Sequence, residues 1–160
     1  MKLADLLTPD HILLEMKACG HWSAIEELVG HLVSIGSLPA DLREPTLEAL
    51  KAREDLVSTG IGSGVAIPHA FSDEISEVSA VFGRSQFGID FESLDHAPVH
   101  LIILFIVPRK DYHLHLRTLA AIAKMFTNSD IRRRLLEADS REEILAIMGC
   151  KPFRTSSILS

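Results

Sequence analysis

An α/β fold is the expectation for this 160-residue chain, and three observations carry it. Short apolar segments that read as strands alternate with segments whose apolar residues recur at helical spacing. The longest apolar run, residues 101–107, is seven residues long; it suits a strand buried on both faces and falls far short of the roughly 20 residues of a bilayer span. Hydrophobic residues make up 47% of the chain and mean hydropathy is +0.20, the composition of a single well-filled core rather than of a disordered segment.

Residues 11–16 read as the first strand. Ser23 and Glu26 form a capping-box pair, and Ile25, Leu28, Val29, Leu32 and Val33 follow at helical spacing until Gly36. Pro45 suits the first turn of a second helix, whose apolar face runs through Leu47 and Leu50 to about Arg53. Residues 65–67, 78–84 and 99–107 are the next strands, and residues 112–126 and 129–137 are helices. Ser140 with Glu143 makes a second capping box for a last helix stopped by Gly149. Residues 151–160 read as a frayed tail.

The most specific stretch is Ser58-Thr59-Gly60-Ile61-Gly62-Ser63-Gly64-Val65-Ala66-Ile67-Pro68-His69. Pro68 fixes its own φ and biases Ile67 toward an extended backbone, so the strand is expected to end there with His69 at the rim of a sheet. The glycines beside it leave room for a bound anion. An imidazole offers an unprotonated nitrogen near pH 7, and phosphoryl transfer asks for positioning and charge neutralisation more than for covalent help. On the residues alone, a histidine behind a proline is nevertheless more often structural than catalytic.

This stretch closely resembles the active-site signature of the fructose/mannitol-type enzyme IIA domains of the bacterial sugar phosphotransferase system. Leu6-Leu7-Thr8-Pro9, Arg53-Glu54, Asp90-Phe91, Pro98-Val99, Ile106-Val107-Pro108 and His115-Leu116-Arg117-Thr118-Leu119 fall in that family's order and spacing. The resemblance covers roughly residues 1–148 and is strongest to the stand-alone nitrogen-regulatory enzyme IIA proteins. It implies one domain over residues 1–150, with a mixed, about five-stranded sheet flanked by helices on both faces. It also implies a phosphohistidine at His69. The phosphoryl group would arrive from an HPr-like carrier, itself charged from phosphoenolpyruvate through enzyme I, and would pass to regulatory target proteins or a permease domain. No cofactor, nucleotide or metal is expected at this step.

Two further residues are candidates for the transfer. His115 opens an apolar stripe with Leu119, Ile122 and Phe126, so it points inward. From the residues alone it reads first as a core histidine; the resemblance implies instead that it orients the phosphoryl group beside His69. Arg53 reads either as a solvated helix-end cation or as a bidentate partner for phosphoryl oxygens, and the resemblance favours the second. Ser58, Thr59, Gly60, Gly62, Ser63 and Gly64 are the expected phosphoryl-binding loop, through hydroxyl and amide hydrogen bonds. Ile61, Ile67 and Phe71 are the expected apolar docking contacts. Ser63 stands where the family often has asparagine, and Ala70 where it often has glycine.

Other functions are disfavoured. A formal charge of −6 and a pI near 5.7 argue against nucleic acid or anionic membrane as partners. Gly60-x-Gly62-x-Gly64 lacks the spacing of a dinucleotide fingerprint, and no Lys-Ser/Thr follows it as in a P-loop. His96, His100, His113 and His115 do not make a metal site, because on one helix residues 113 and 115 lie about 200° apart. Arg132-Arg133-Arg134 sits among Asp130, Glu137 and Asp139 and reads as a solvated face. Cys19 and Cys150 read as free thiols, and Asp5 comes too early for an export signal, so a cytoplasmic protein is expected. With no permease segment in the sequence, a regulatory output is expected over sugar uptake. The rival class is a signalling module whose binding partners sense the charge on His69.

Overall fold

In the computed structural model, residues 6–56, 59–93 and 95–149 are described. Their order is β1 (Ile12–Leu13), α1 (His21–Ser34), α2 (Arg43–Leu56), β2 (Gly60–Gly62), β3 (Val65–Ala66), β4 (His69–Ser72), β5 (Ser79–Ile89), β6 (Val99–Pro108), α3 (Tyr112–Met125), α4 (Ser129–Glu137) and α5 (Arg141–Ile147). The sheet is mixed and six-stranded, ordered β1-β5-β6-β3-β2, with β4 also against β6. Pairs β1–β5, β3–β6 and β4–β6 are parallel; β5–β6 and β2–β3 are antiparallel.

Alternation along β6 divides the interior in two. Leu101, Ile103, Phe105 and Val107 face one core with Ile122, Phe126, Leu135, Ile144 and Leu145 of α3, α4 and α5. Ile102, Leu104 and Ile106 face the other with Ala24, Ile25, Leu28, Leu32, Leu47 and Leu50 of α1 and α2. Helices therefore cover both faces, as expected, which is why the long strand is apolar at nearly every position.

Several boundaries differ from expectation; the strand expected over residues 78–84 runs on to Ile89 as β5, and α2 continues past Arg53 to Leu56. The first strand shrinks to β1, because Pro9–His11 forms a 3-10 turn instead of extended chain. The first helix starts earlier, at His21, with Gly20 as its cap; the Ser23 hydroxyl accepts the Gly20 N–H at 3.3 Å and donates to the Gly20 carbonyl at 3.1 Å. The strand entering Pro68 does not stop there. It resumes as β4 in unbroken register with β6, Val65 opposite Leu101 and His69 opposite Phe105. Pro68 has no N–H to offer, but its carbonyl accepts Phe105 N–H at 3.0 Å, and the strand lies on the edge of the sheet beyond β2, where a proline is tolerated. At α5, Ser140 accepts Glu143 N–H at 3.1 Å as its capping pattern implied, while the Glu143 carboxylate reaches back to Asp139 N–H at 3.0 Å. The tail, Cys150 and Ser58 lie outside the described residues.

Candidate functional site

His69 opens β4, and Val65, Ile67, His69 and Phe71 alternate onto the face that α3 covers. It is half-buried. An open cavity of about 280 Å³ adjoins it, lined by Arg53 and Thr59, by Ile61 and Ile67, and by Leu116, Leu119, Ala120 and Ala123 of α3. Arg53 comes from α2, which packs on the opposite face, so the cavity lies at the sheet edge where the two helical layers meet.

The ring of His69 is held by its own strand. Its Nδ1 lies 2.9 Å from the Ile67 carbonyl oxygen, which can only accept, so Nδ1 carries the proton and Nε2 the lone pair. The Ile67 carbonyl is available because the strand partner runs out at this point. Ile67 N–H makes its bond to the Thr59 carbonyl at 3.0 Å, and β2 begins only at Gly60. Burial pushes the His69 pKa down; the Ile67 hydrogen bond raises it, the Arg53 charge lowers it and the Glu54 charge raises it, with a net shift below the ordinary value. The ring is thus mostly neutral at pH 7, with an unprotonated Nε2.

Arg53 and Glu54, neighbours at the end of α2, do different work. Arg53 lines the cavity. Glu54 turns inward, its side chain fully buried, and accepts His21 Nε2–H at 2.7 Å, Thr59 N–H at 3.1 Å and the Thr59 hydroxyl. Burial opposes its ionisation, but those hydrogen bonds and the His21 ring together hold its carboxyl below the usual carboxylate range. Glu54 entered the sequence reading only as the neighbour of Arg53, and His21 not at all. The signal was present: Leu47, Leu50 and Glu54 share the buried stripe of α2, and His21, Ala24, Ile25 and Leu28 that of α1.

The loop departs from expectation. Both donors of Thr59 are engaged by Glu54, and Ser63 N–H is engaged by Asp95 Oδ2 at 3.0 Å. Gly62, Ser63 and Gly64 all have positive φ and form the turn joining β2 to β3, whose two central residues Ser63 and Gly64 fit the primed hairpin class. That turn stands away from the cavity lining, and Gly60 packs against Ser93. His115 is buried on α3, one turn before Leu119, on the same side of the sheet as His69; it does not itself line the cavity. Ile61 and Leu116 are exposed at the rim, with Leu56 of α2 more exposed still.

Elsewhere, Arg133 pairs with Asp130 and Glu137 as a solvated face, while Arg132 donates to the Phe126 carbonyl at 2.6 Å. Cys19 is free and exposed. Among the described residues no helix is long and apolar enough to cross a membrane.

Comparison with known proteins shows which family the chain resembles. The profile of the phosphoenolpyruvate-dependent sugar phosphotransferase system EIIA 2 family matches residues 5–149. The chain is 36% identical over 152 residues to the fructose-specific EIIA component of Haloferax volcanii, covering 93% of this chain and 97% of that protein. It is also 36% identical over 149 residues to the fructose-specific EIIABC component of Bacillus subtilis, covering 93% of this chain but 23% of that longer protein. The crystal structure of the nitrogen regulatory protein IIA-Ntr from Neisseria meningitidis superposes with a TM-score of 0.84 at 34% identity, covering 91% of this chain and 98% of that one.

Proposed function

From the premise that this chain belongs to the EIIA 2 family of the phosphoenolpyruvate-dependent sugar phosphotransferase system, we propose that His69 is its phosphoryl acceptor and Nε2 the attacking atom. One observation carries the reading: the Ile67 carbonyl accepts the Nδ1–H hydrogen bond and so leaves the lone pair on Nε2, beside Arg53 in an open cavity. In the step, Nε2 attacks the phosphorus of a phosphohistidine on an HPr-like donor. The new N–P bond forms as the donor's N–P bond breaks, its electron pair returning to the donor imidazole. His69 keeps its Nδ1 proton on Ile67 throughout, so the ring's positive charge stays next to the phosphoryl group it carries. The Arg53 guanidinium supplies the charge for the phosphoryl oxygens, and buried His115, near the N-terminus of α3, orients the group. With the Thr59 and Ser63 donors engaged elsewhere, Arg53 carries more of this load than the loop does.

The exposed apolar rim of Ile61 and Leu116 is the surface a donor protein would cover, in the cytoplasm where such carriers are charged. Residues 1–150 act as the carrier domain. The output is regulatory, as in the nitrogen-regulatory relative. Sugar uptake stays a second reading because identity to a fructose-specific EIIA component is as high.

Incubation with phosphoenolpyruvate, enzyme I and HPr should add one acid-labile, base-stable phosphoryl group. His69→Ala should abolish it and Arg53→Ala should slow it by about 10²-fold. Labelling of folded His69→Ala overturns the assignment. Adding permease-containing membranes separates the outputs: label drained to sugar means uptake, label retained means regulation.

A further inference from the structure

Behind the proposed acceptor runs a continuous line of hydrogen bonds that begins at a buried histidine and ends on the reacting ring. His21 Nε2–H donates to Glu54 at 2.7 Å. Glu54 holds Thr59 by its N–H, at 3.1 Å, and by its hydroxyl. The Thr59 carbonyl accepts Ile67 N–H at 3.0 Å, and the Ile67 carbonyl accepts His69 Nδ1–H at 2.9 Å. No other described strand residue braces Ile67 on that side, since β2 begins at Gly60, opposite Ala66.

The arrangement is costly to build. A carboxylate with no exposed side-chain surface sits one residue from Arg53, and its partner His21 is buried with Nδ1 unpartnered. The His21 ring stacks on Trp22 at a centroid distance of 4.4 Å and packs against Phe91 at 4.0 Å, so it is wedged in place. A local apolar pair would serve the packing of α1 on α2 equally well, and removing either member of a buried charged pair leaves the other exposed to the full desolvation cost. A buried acid that spends three hydrogen bonds on one loop residue and one histidine is better explained by what that residue does next.

We infer that Glu54, backed by His21, is a positioning residue for phosphoryl transfer: by fixing Thr59 it fixes Ile67, and so selects the Nδ1–H tautomer of His69. The inference rests on His69 being the acceptor. The hydrogen bond on one imidazole nitrogen decides which nitrogen is nucleophilic, and a ring in the other tautomer presents a proton where the phosphorus must arrive.

The test is long-range nitrogen–proton NMR of the imidazoles of the unmodified protein, read together with the rate of phosphoryl acceptance. In wild type, His69 should be the Nδ1–H tautomer and Thr59 N–H should be protected from exchange; an Nε2–H tautomer in wild type overturns the inference at once. In Glu54→Gln the carboxylate charge goes, and one of its two acceptor oxygens becomes an NH2 that cannot accept the Thr59 hydroxyl. His69 should then populate both tautomers, and acceptance should slow about tenfold or more. His21→Leu, which removes the donor but fills the space beside Trp22 and Phe91, should move both readouts the same way, and His21→Gln, which keeps a donor, should restore them. A folded Glu54→Gln or His21→Leu protein with wild-type tautomer and rate overturns it. If neither variant folds, the wild-type tautomer and Thr59 protection decide alone. Failure of His69 to take up label in wild type would instead overturn the assignment of the acceptor, whatever the tautomer.

Discussion

At His69 opposing influences decide whether the ring is a base or a cation. Burial and Arg53 push its pKa down, the Ile67 carbonyl and Glu54 push it up, and the balance lies below the ordinary imidazole value of 6.5. The unfolded chain therefore binds a proton at higher pH than the folded ring does. The folded ring stays neutral as pH falls through 6.5. Its share of stability declines from there toward the lower folded value, and the rate of the proposed acceptance should fall only as pH approaches that folded value. An NMR titration should place the His69 midpoint below 6.5, and Arg53→Met should move it upward by removing the cation; a midpoint at or above 6.5 in wild type contradicts this balance. Ser63 is the complementary case, a residue that tolerates an awkward backbone. Its φ is +59°, and the Asp95 carboxylate compensates by taking its N–H and that of Ala97 at 3.0 Å each.

Among the elements, β2 is the one whose fit is tightest. A Cβ at Gly60 would lie 3.0 Å from Ser93 Cβ and 3.2 Å from Ser93 Cα, and closer still to the Ser93 hydroxyl. That hydroxyl is buried without a hydrogen-bond partner, so it contributes bulk but no bond. Gly60→Ala should cost about 1–3 kcal/mol in denaturant unfolding. Pairing it with Ser93→Gly should recover part of the loss, which a double-mutant cycle measures as coupling. A Gly60→Ala protein within about 0.5 kcal/mol of wild type shows that the connection after β5 moves aside freely. The edge formed by β3, Pro68 and β4 was legible only up to the proline. A proline normally ends a strand on its own account, and here the ladder of β6 on its far side carries the chain across.

Over the whole molecule, two cores share a single strand. Ile103 faces the α3–α5 side and Ile102 the α1–α2 side, so neither layer can dissolve without exposing β6. Ile103→Ala should lower stability by about 2–5 kcal/mol. Trp22, the single tryptophan, lies in α1 on the opposite layer. Its fluorescence and the far-UV circular dichroism of Ile103→Ala should still share one midpoint, and separated midpoints would mean that the layers unfold independently. What the chain's sequence settled unaided was everything encoded within a few residues: the helix periods, the capping serine at 140, the glycine turn, the buried strand and the histidine behind its proline. Membership of the family was legible in those local motifs, while the choice of His69, His115 and Arg53 came from the resemblance, since on the residues alone both histidines read first as structural and Arg53 stayed open. The pairing of β4 with β6, the meeting of Arg53 with His69 across a sheet edge, and the burial of Glu54 against His21 and Thr59 were decided by tertiary structure. Those contacts join residues up to 36 positions apart in register, and no local rule says which carboxylate will lose its water and take loop amides in exchange.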